Sequence, residues 1–264
     1  MAIPPTILGI SIYSYVIAIQ FLIGFIILLR SIKPIKISSL FLAIFNFTAG
    51  IAFIMSAMIV YTDNPIWYMN FIIFTYLENL FLSIFTQNTF YKEKKSPFLI
   101  ILIILTMTLI IMIIVLLNNP NPYIMAFNSR LILSILFSIQ YLIIGIWYGY
   151  ISLKQYYKYK KVAIRPWIKM RYLLGGIAAL AFGMIGPSIF IYTIATIDSF
   201  NPNHLLLLIS LITSVILMNI FSIGSLITWV MPKRLKKLFE RKFIQIKYED
   251  LSEEEIEKEF LNNM

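Results

Sequence analysis

Two ionisable side chains stand inside long apolar stretches of the sequence. Glu78 lies near the middle of the third stretch, and Arg130 lies near the start of the fifth. An ionisable group inside a membrane span costs about 2–3 kcal/mol or more unless it is paired or hydrated, so such groups are functional-site candidates. We predict that Glu78 and Arg130 pair there, directly or through water. In the alternative interpretation, Arg130 extends outward to lipid headgroups and a protonated Glu78 bonds to its neighbours.

Uncharged polar side chains accompany Glu78 on one face of the third stretch, which predicts that this face is buried. They are Thr75, Asn79, Ser83, Thr86 and Gln87. Side chains on other stretches that could meet them are Gln20, Asn46, Thr48, Ser134, Ser138, Gln140, Ser214 and Asn219. The predicted ligand-binding or intramembrane polar site contains Glu78, Arg130, Asn79, Gln20, Gln140 and Asn219. The alternative is ordinary hydrogen bonding between helices.

The sequence lacks the residues that most catalytic and metal sites require. It contains no cysteine and a single histidine, His204, which we interpret as a capping or interfacial group. Thiolate sites, bis-histidine haem ligation and two-histidine metal clusters are therefore excluded. We also find no paired carboxylates at catalytic spacing and no phosphate-binding glycine loop. We accordingly expect no enzymatic activity, no metal and no cofactor.

The elements that carry these residues are predicted to be membrane-spanning helices. Of the 264 residues, 60% are hydrophobic and 13% are charged, and the mean hydropathy is +0.85, which excludes an ordinary soluble domain. About 20 apolar residues cross a bilayer core. Seven stretches are long enough: Pro5–Leu29, Ser38–Tyr61, Pro65–Phe90, Pro97–Leu117, Tyr123–Leu153, Tyr172–Ile197 and His204–Met231. The predicted fold class is an all-α polytopic integral membrane protein.

The positions of the basic residues predict the orientation of the chain. Of the 22 lysines and arginines, 21 fall after the first, third, fifth and seventh stretches, and Arg130 is the remaining one. Basic residues concentrate in cytoplasmic loops. We therefore expect the N-terminus outside, the C-terminus in the cytoplasm, and a multi-pass location in the cell membrane. This placement explains the net charge of +10 through anionic lipid headgroups and without a nucleic-acid partner.

The sixth stretch is predicted to pack closely and to bend. Gly175, Ala179 and Gly183 recur every four residues, a pattern that lets helix backbones approach. Gly186 and Pro187 follow, and proline interrupts the hydrogen bonds of a helix. We predict tight packing here, with Gly186 and Pro187 as a candidate hinge.

The chain is predicted to divide into a transmembrane domain, residues 1–231, and a cytoplasmic tail, residues 232–264. A basic amphipathic helix is expected at 233–243, with Lys233, Arg234, Lys236 and Lys237 at the membrane surface. An acidic helix is expected at 252–260, opened by a capping box of Ser252 and Glu255.

One short stretch resembles a known family. Arg165-Pro166-Trp167, then Lys169, Met170 and Arg171, then Leu173-Leu174-Gly175-Gly176 resemble the basic entry to the sixth helix in the seven-helix membrane sensor regions of prokaryotic histidine kinases. Those sensors continue into cytoplasmic signalling domains, whereas here only residues 232–264 follow the last stretch, so we expect no kinase activity of its own. The resemblance implies a sensor module that passes a change to a separate partner through its inner loops and tail.

The sequence therefore predicts a receptor-like or sensory membrane protein that signals to a separate cytoplasmic partner. A small-solute transporter or channel is the first alternative, and a structural subunit of a membrane complex is the second. The expected partners are the bilayer with its anionic headgroups and a cytoplasmic protein or further copies of the chain.

Overall fold

Helices make up almost all of the residues that the computed structural model describes, which are 7–31, 37–62, 64–91, 96–119, 125, 127–160, 165–195, 204–231 and 233–240. No strand occurs within these ranges. The helices are α1 (Ile7–Ser31), α2 (Ile37–Thr62), α3 (Pro65–Phe90), α4 (Phe98–Asn118), α5 (Phe127–Lys160), α6 (Pro166–Gly183), α7 (Ile185–Ala195), α8 (His204–Val230) and α9 (Lys233–Glu240).

Seven segments in the described part of the chain are long and apolar enough to cross a membrane, with α6 and α7 together forming the sixth. The predicted all-α class and seven spans are thereby confirmed, and the chain is a multi-pass membrane protein. Local signals in the sequence explain the start of α3. Pro65 occupies the first turn of α3, and the Asn64 side chain caps that turn by accepting a hydrogen bond from the amide of Ile66.

The connection between α5 and α6 is more helical than hydropathy indicated. α5 continues to Lys160, seven residues beyond the predicted end of its apolar stretch, and α6 begins at Pro166, six residues before the predicted start. Charged and tyrosine residues end an apolar stretch, but they do not break backbone hydrogen bonds. α5 is therefore 34 residues long, or about 51 Å at 1.5 Å per residue.

The sixth span is interrupted at Met184, between α6 and α7. Pro187 has no amide hydrogen for the carbonyl of Gly183, and its ring crowds that carbonyl, so the helix is disturbed one turn before the proline. The amide of Met184 still donates to the carbonyl of Leu180. The sequence located this irregularity to within a few residues, at Gly186 and Pro187.

The spans pack largely in chain order, and the bundle closes on itself. Each of the first four helices packs against the next one, and α1 also packs against α8. α5 lies against α3, α4, α6 and α7, while α8 lies against α6 and α7. This arrangement places α3 and α5 side by side, both running in the same direction across the bundle.

α9 is anchored to the spans by one contact just before its start and one near its middle. Met231 ends α8 with a positive φ of 29°, a left-handed conformation that turns the chain. The Arg30 guanidinium of α1 donates from Nη1 to the carbonyl of Val230 at 3.1 Å. Further along, the Lys236 ammonium lies 3.9 Å from the centroid of the Trp167 ring on α6. The last residues of the expected 233–243 helix and the expected acidic helix at 252–260 lie outside the described residues.

Candidate functional site

A buried carboxyl group stands at the centre of the bundle. Glu78 lies midway along α3 and is 2% exposed. The hydroxyl of Tyr141 on α5 donates to Glu78 Oε1 at 2.7 Å. Thr75, Asn79, Ser83 and Thr86 of the same helix are also buried, which confirms the predicted inward direction of this polar face for these residues. The buried carboxyl thus has a specific hydroxyl partner on a neighbouring span.

The register of α3 and α5 places Arg130 far from Glu78. Tyr141 lies 11 residues after Arg130 on α5, which is about 16 Å along the helix axis. Arg130 is instead the fourth residue of α5, which begins at Phe127. Among the described contacts, the expected direct pairing of Glu78 with Arg130 does not occur. The depths of Glu78 and Arg130 were estimated from the ends of their spans. That estimate did not give the distance between them, because it ignores the stagger of α3 relative to α5.

Tyr141 connects the carboxyl to an aromatic cluster formed by Phe45, Phe182 and Phe221. Its ring lies 5.0 Å from that of Phe182, centroid to centroid. Phe182 lies 4.7 Å from Phe221 and 5.6 Å from Phe45 by the same measure. All three phenylalanines are fully buried. The cluster joins α2, α6 and α8, and Phe182 stands two residues before the interruption at Met184.

Two of the predicted amide side chains bridge helices close to the depth of Glu78. Gln20 on α1 donates from Nε2 to the hydroxyl of Ser222 on α8 at 2.6 Å. Gln140 on α5 donates from Nε2 to the hydroxyl of Thr108 on α4 at 2.8 Å. Both glutamines are 1% exposed. These two contacts are the interhelical hydrogen bonding that the sequence offered as an alternative.

Two other amides bond within their own helices. The Asn46 side chain donates to the carbonyl of Leu42, and Asn79 donates to the carbonyl of Thr75. Four buried amide oxygens have no hydrogen-bond partner within the described part of the chain: Gln20 Oε1, Asn46 Oδ1, Asn79 Oδ1 and Gln140 Oε1. Buried acceptors of this kind are rare in proteins. They are hard oxygen donors of the type that binds water or small cations.

Asn219 does not join this set. It is half-buried, and its side chain donates to the carbonyl of Val215 in its own helix at 2.8 Å. Ser222, three residues later, supplies the α8 side chain that faces Gln20. Both Asn219 and Ser222 are polar residues in an apolar stretch, so the sequence did not show which of them faces Gln20.

The region of the predicted hinge packs tightly against α5. The Ser138 hydroxyl lies 2.7 Å from the carbonyl oxygen of Gly186 and 2.8 Å from that of Ser134, so its single proton is shared between them. A Cβ on Gly145 would lie only 2.4 Å from Cα of Gly183. Glycine is required at position 145 because the two backbones are in direct contact. Close packing is thus observed, with Gly145 as a participant that the sequence interpretation missed.

A second aromatic group, which the sequence interpretation did not identify, lies two turns beyond Tyr141 on α5. The Trp229 indole donates from Nε1 to the Tyr148 hydroxyl at 3.1 Å. Phe85 of α3 meets Trp229 and Tyr148 edge to face, at centroid distances of 4.9 and 5.6 Å. The Arg171 guanidinium lies over the Trp229 ring at 4.4 Å. Tyrosine and tryptophan are counted as hydrophobic residues, so the sequence pattern did not indicate that their hydroxyl and indole N–H groups form a hydrogen bond here.

Of the four basic residues predicted at the membrane surface, two have side chains that the structure describes. Lys236 is half-buried against Trp167, whereas Lys237 is exposed. Lys233 and Arg234 lie in the first turn of α9. The structure therefore gives Lys236 a packing partner within the fold and leaves Lys237 facing outward.

No family model, curated protein or solved structure was found to be similar to the chain. In the described residues, no group of three or more histidine, aspartate or glutamate side chains could hold a metal ion. The function must therefore be argued from the geometry of the buried polar residues.

Proposed function

We propose that this chain is a receptor-like or sensory membrane protein in which the Glu78–Tyr141 pair is the membrane-embedded site. One observation carries the proposal. Tyr141 bonds to Glu78 through its hydroxyl and packs on Phe182 through its ring, two residues before the interruption of the sixth span. A change in the partner of the carboxyl moves the tyrosine, and the tyrosine moves against the helix most ready to bend.

The change would reach the inner end along two helices. Along α5, Tyr148 follows Tyr141 by two turns and bonds to Trp229 of α8. Along α6, Trp167 contacts Lys236 of α9. Displacement of α5 or α6 would therefore alter the position of the short basic helix, which is the element we assign to contact with a partner.

The proposal includes an orientation, with the N-terminus outside and the C-terminus in the cytoplasm of a cell. It rests on the basic residues at the inner connections and in the tail. The short stretch that resembles histidine-kinase sensor regions agrees with it. The proposed partners are anionic lipid headgroups and a separate cytoplasmic protein or further copies of the chain. We assign the chain no catalytic role.

The absence of cysteine from the sequence allows a direct test. Single cysteines would replace Lys160 at the end of α5 and Leu238 on the exposed side of α9, and both would carry spin labels. Pulsed electron paramagnetic resonance then measures the distance between them. We expect Tyr141→Phe to shift this distance by about 1–2 Å or more, as in other helix shifts.

The matched control is Tyr15→Phe, which removes the same hydroxyl from an exposed position on α1. This variant should leave the label distance unchanged. If Tyr141→Phe is folded and gives the same distance distribution as Tyr15→Phe, the site is not coupled to the inner end and the sensory proposal fails.

A transporter of protons or small cations is the second candidate, favoured by the buried oxygens of Gln20, Asn46, Asn79 and Gln140 that have no partner among the described residues. Ionisable and polar groups in the middle of the membrane commonly form ion pathways. The test is uptake into proteoliposomes under an imposed proton or sodium gradient, followed with internal dyes. Transport predicts flux that Glu78→Gln abolishes and Asn219→Ala preserves. Equal flux in empty liposomes excludes it.

A further inference from the structure

The inner half of α5 carries an exposed stripe that alternates tyrosine and lysine, which we call the Tyr/Lys stripe: Tyr150, Lys154, Tyr157 and Lys158. The tyrosines are 61% and 64% exposed, and both lysines are exposed. At 100° per residue the four positions fall within about 100° of the helix circumference. Ile151 and Ser152, between the first two members, are buried. The stripe is therefore a single outward face.

The depth of the stripe follows from the level of Glu78. This residue lies midway along α3, and its partner Tyr141 marks the same level on α5. Tyr150 is then about 13 Å from the middle of the membrane and Lys154 about 19 Å. The hydrocarbon core ends at about 15 Å and the headgroup layer at about 20–22 Å. The stripe thus begins at the edge of the hydrocarbon and runs into the headgroups.

The side chains of the stripe suit this position. Tyrosine places its ring at the edge of the hydrocarbon and its hydroxyl among polar groups. The Lys154 ammonium lies 6.0 Å from the centroid of the Tyr150 ring, so the cation stands above the aromatic face. One turn before Tyr150, Ile146 is 56% exposed and continues the face as an apolar surface.

We propose that the Tyr/Lys stripe binds an anionic phospholipid of the leaflet in which α5 ends. The lysine ammonium groups face the headgroup phosphates, the tyrosine hydroxyls donate to ester and phosphate oxygens, and the acyl chain lies along Ile146. Charge complementarity and the continuity of the apolar surface with the bilayer identify the occupant as a lipid. The site rests on the proposed lipid partners and membrane placement, but it involves no residue of the buried polar centre and is tested separately from it.

Site-specific cross-linking in the full chain tests this assignment. The photoreactive residue p-benzoylphenylalanine would replace Ile146, and the protein would be reconstituted in vesicles of phosphatidylcholine and phosphatidylglycerol at four to one. Mass spectrometry of the cross-linked lipids gives their ratio at the site. We expect phosphatidylglycerol to exceed its bulk share, and Lys154→Gln to lower that enrichment about fivefold, the effect of one charge near an anionic headgroup.

Two controls separate a defined site from general attraction to a basic protein. The same cross-linker in place of Ile103, exposed on α4 at a matching depth, should capture lipids at the bulk ratio. Lys237→Gln removes an exposed charge from α9 and should leave the enrichment at position 146 unchanged. The proposal is overturned if position 146 captures the bulk ratio, or if Lys154→Gln and Lys237→Gln lower the enrichment equally.

Discussion

Replacing Gly145 by alanine tests the closest contact between two spans. A Cβ at this position would lie 2.4 Å from Cα of Gly183 and 2.8 Å from the carbonyl oxygen of Ala179. Carbon atoms pack at about 3.5–4.0 Å, so α5 and α6 would have to separate by about 1 Å. The obstacle is backbone, which cannot rotate aside as a side chain can. Overpacking of this kind costs about 1–3 kcal/mol.

Alanine also favours a helix over glycine by about 1 kcal/mol, which offsets part of this loss. Gly175→Ala is the matched control, because Gly175 is also inside a helix and its added Cβ would meet only side chains, the nearest at 3.2 Å. The propensity gain is the same in both variants. The difference in unfolding free energy between them, about 1–3 kcal/mol, therefore compares a backbone obstacle at position 145 with side-chain contacts of 3.2–3.4 Å at position 175.

The measurement is unfolding of the purified protein by sodium dodecyl sulfate in mixed micelles, followed by far-ultraviolet circular dichroism. Gly145→Ala should unfold at a lower detergent fraction than Gly175→Ala. If the two variants unfold together, the spans are not in backbone contact at this level, and the assignment of Gly145 as an obligatory glycine is refuted.

Two further predictions concern single hydrogen bonds. Tyr141→Phe should lower the unfolding free energy by about 0.6 kcal/mol and by no more than about 1.7 kcal/mol, the range for hydrogen bonds between membrane helices. In the Glu78→Leu background the same substitution should change the unfolding free energy little. Equal losses in both backgrounds would contradict the hydrogen bond. Arg30→Gln should speed amide hydrogen exchange in the last turn of α8 and in α9, because the carbonyl of Val230 loses its donor; unchanged exchange rates there would show that this contact does not anchor α9.

Hydropathy and charge were sufficient to predict the spans, because a membrane helix must be continuously apolar over a fixed length. The same reasoning did not predict that the fifth helix continues from Leu153 to Lys160, because the residue types change at the headgroups while the helical backbone does not. It predicted the irregularity near Pro187 because proline acts locally, through its own missing hydrogen.

The partner of Glu78 could not be predicted in the same way. Its charge suggested Arg130 as the partner. Pairing, however, depends on the stagger between α3 and α5, and hydropathy carries no information about that stagger. Tyr141 carries its donor on an aromatic ring and is counted as hydrophobic. Gly145, by contrast, could have been found, because Gly149 follows it at the four-residue spacing that drew attention to the sixth span.

The side-by-side placement of α3 and α5 couples the lengths of two distant segments of the chain. Glu78 and Phe85 stand seven residues apart on α3, and their partners Tyr141 and Tyr148 stand seven apart on α5. One residue inserted between Glu78 and Phe85 would rotate everything beyond it by about 100° and separate one of the pairs. An insertion in one segment would be tolerated only with an equal insertion in the other. Proteins that descend from a common ancestor with this chain should therefore preserve both intervals together, even where the residues between them have changed.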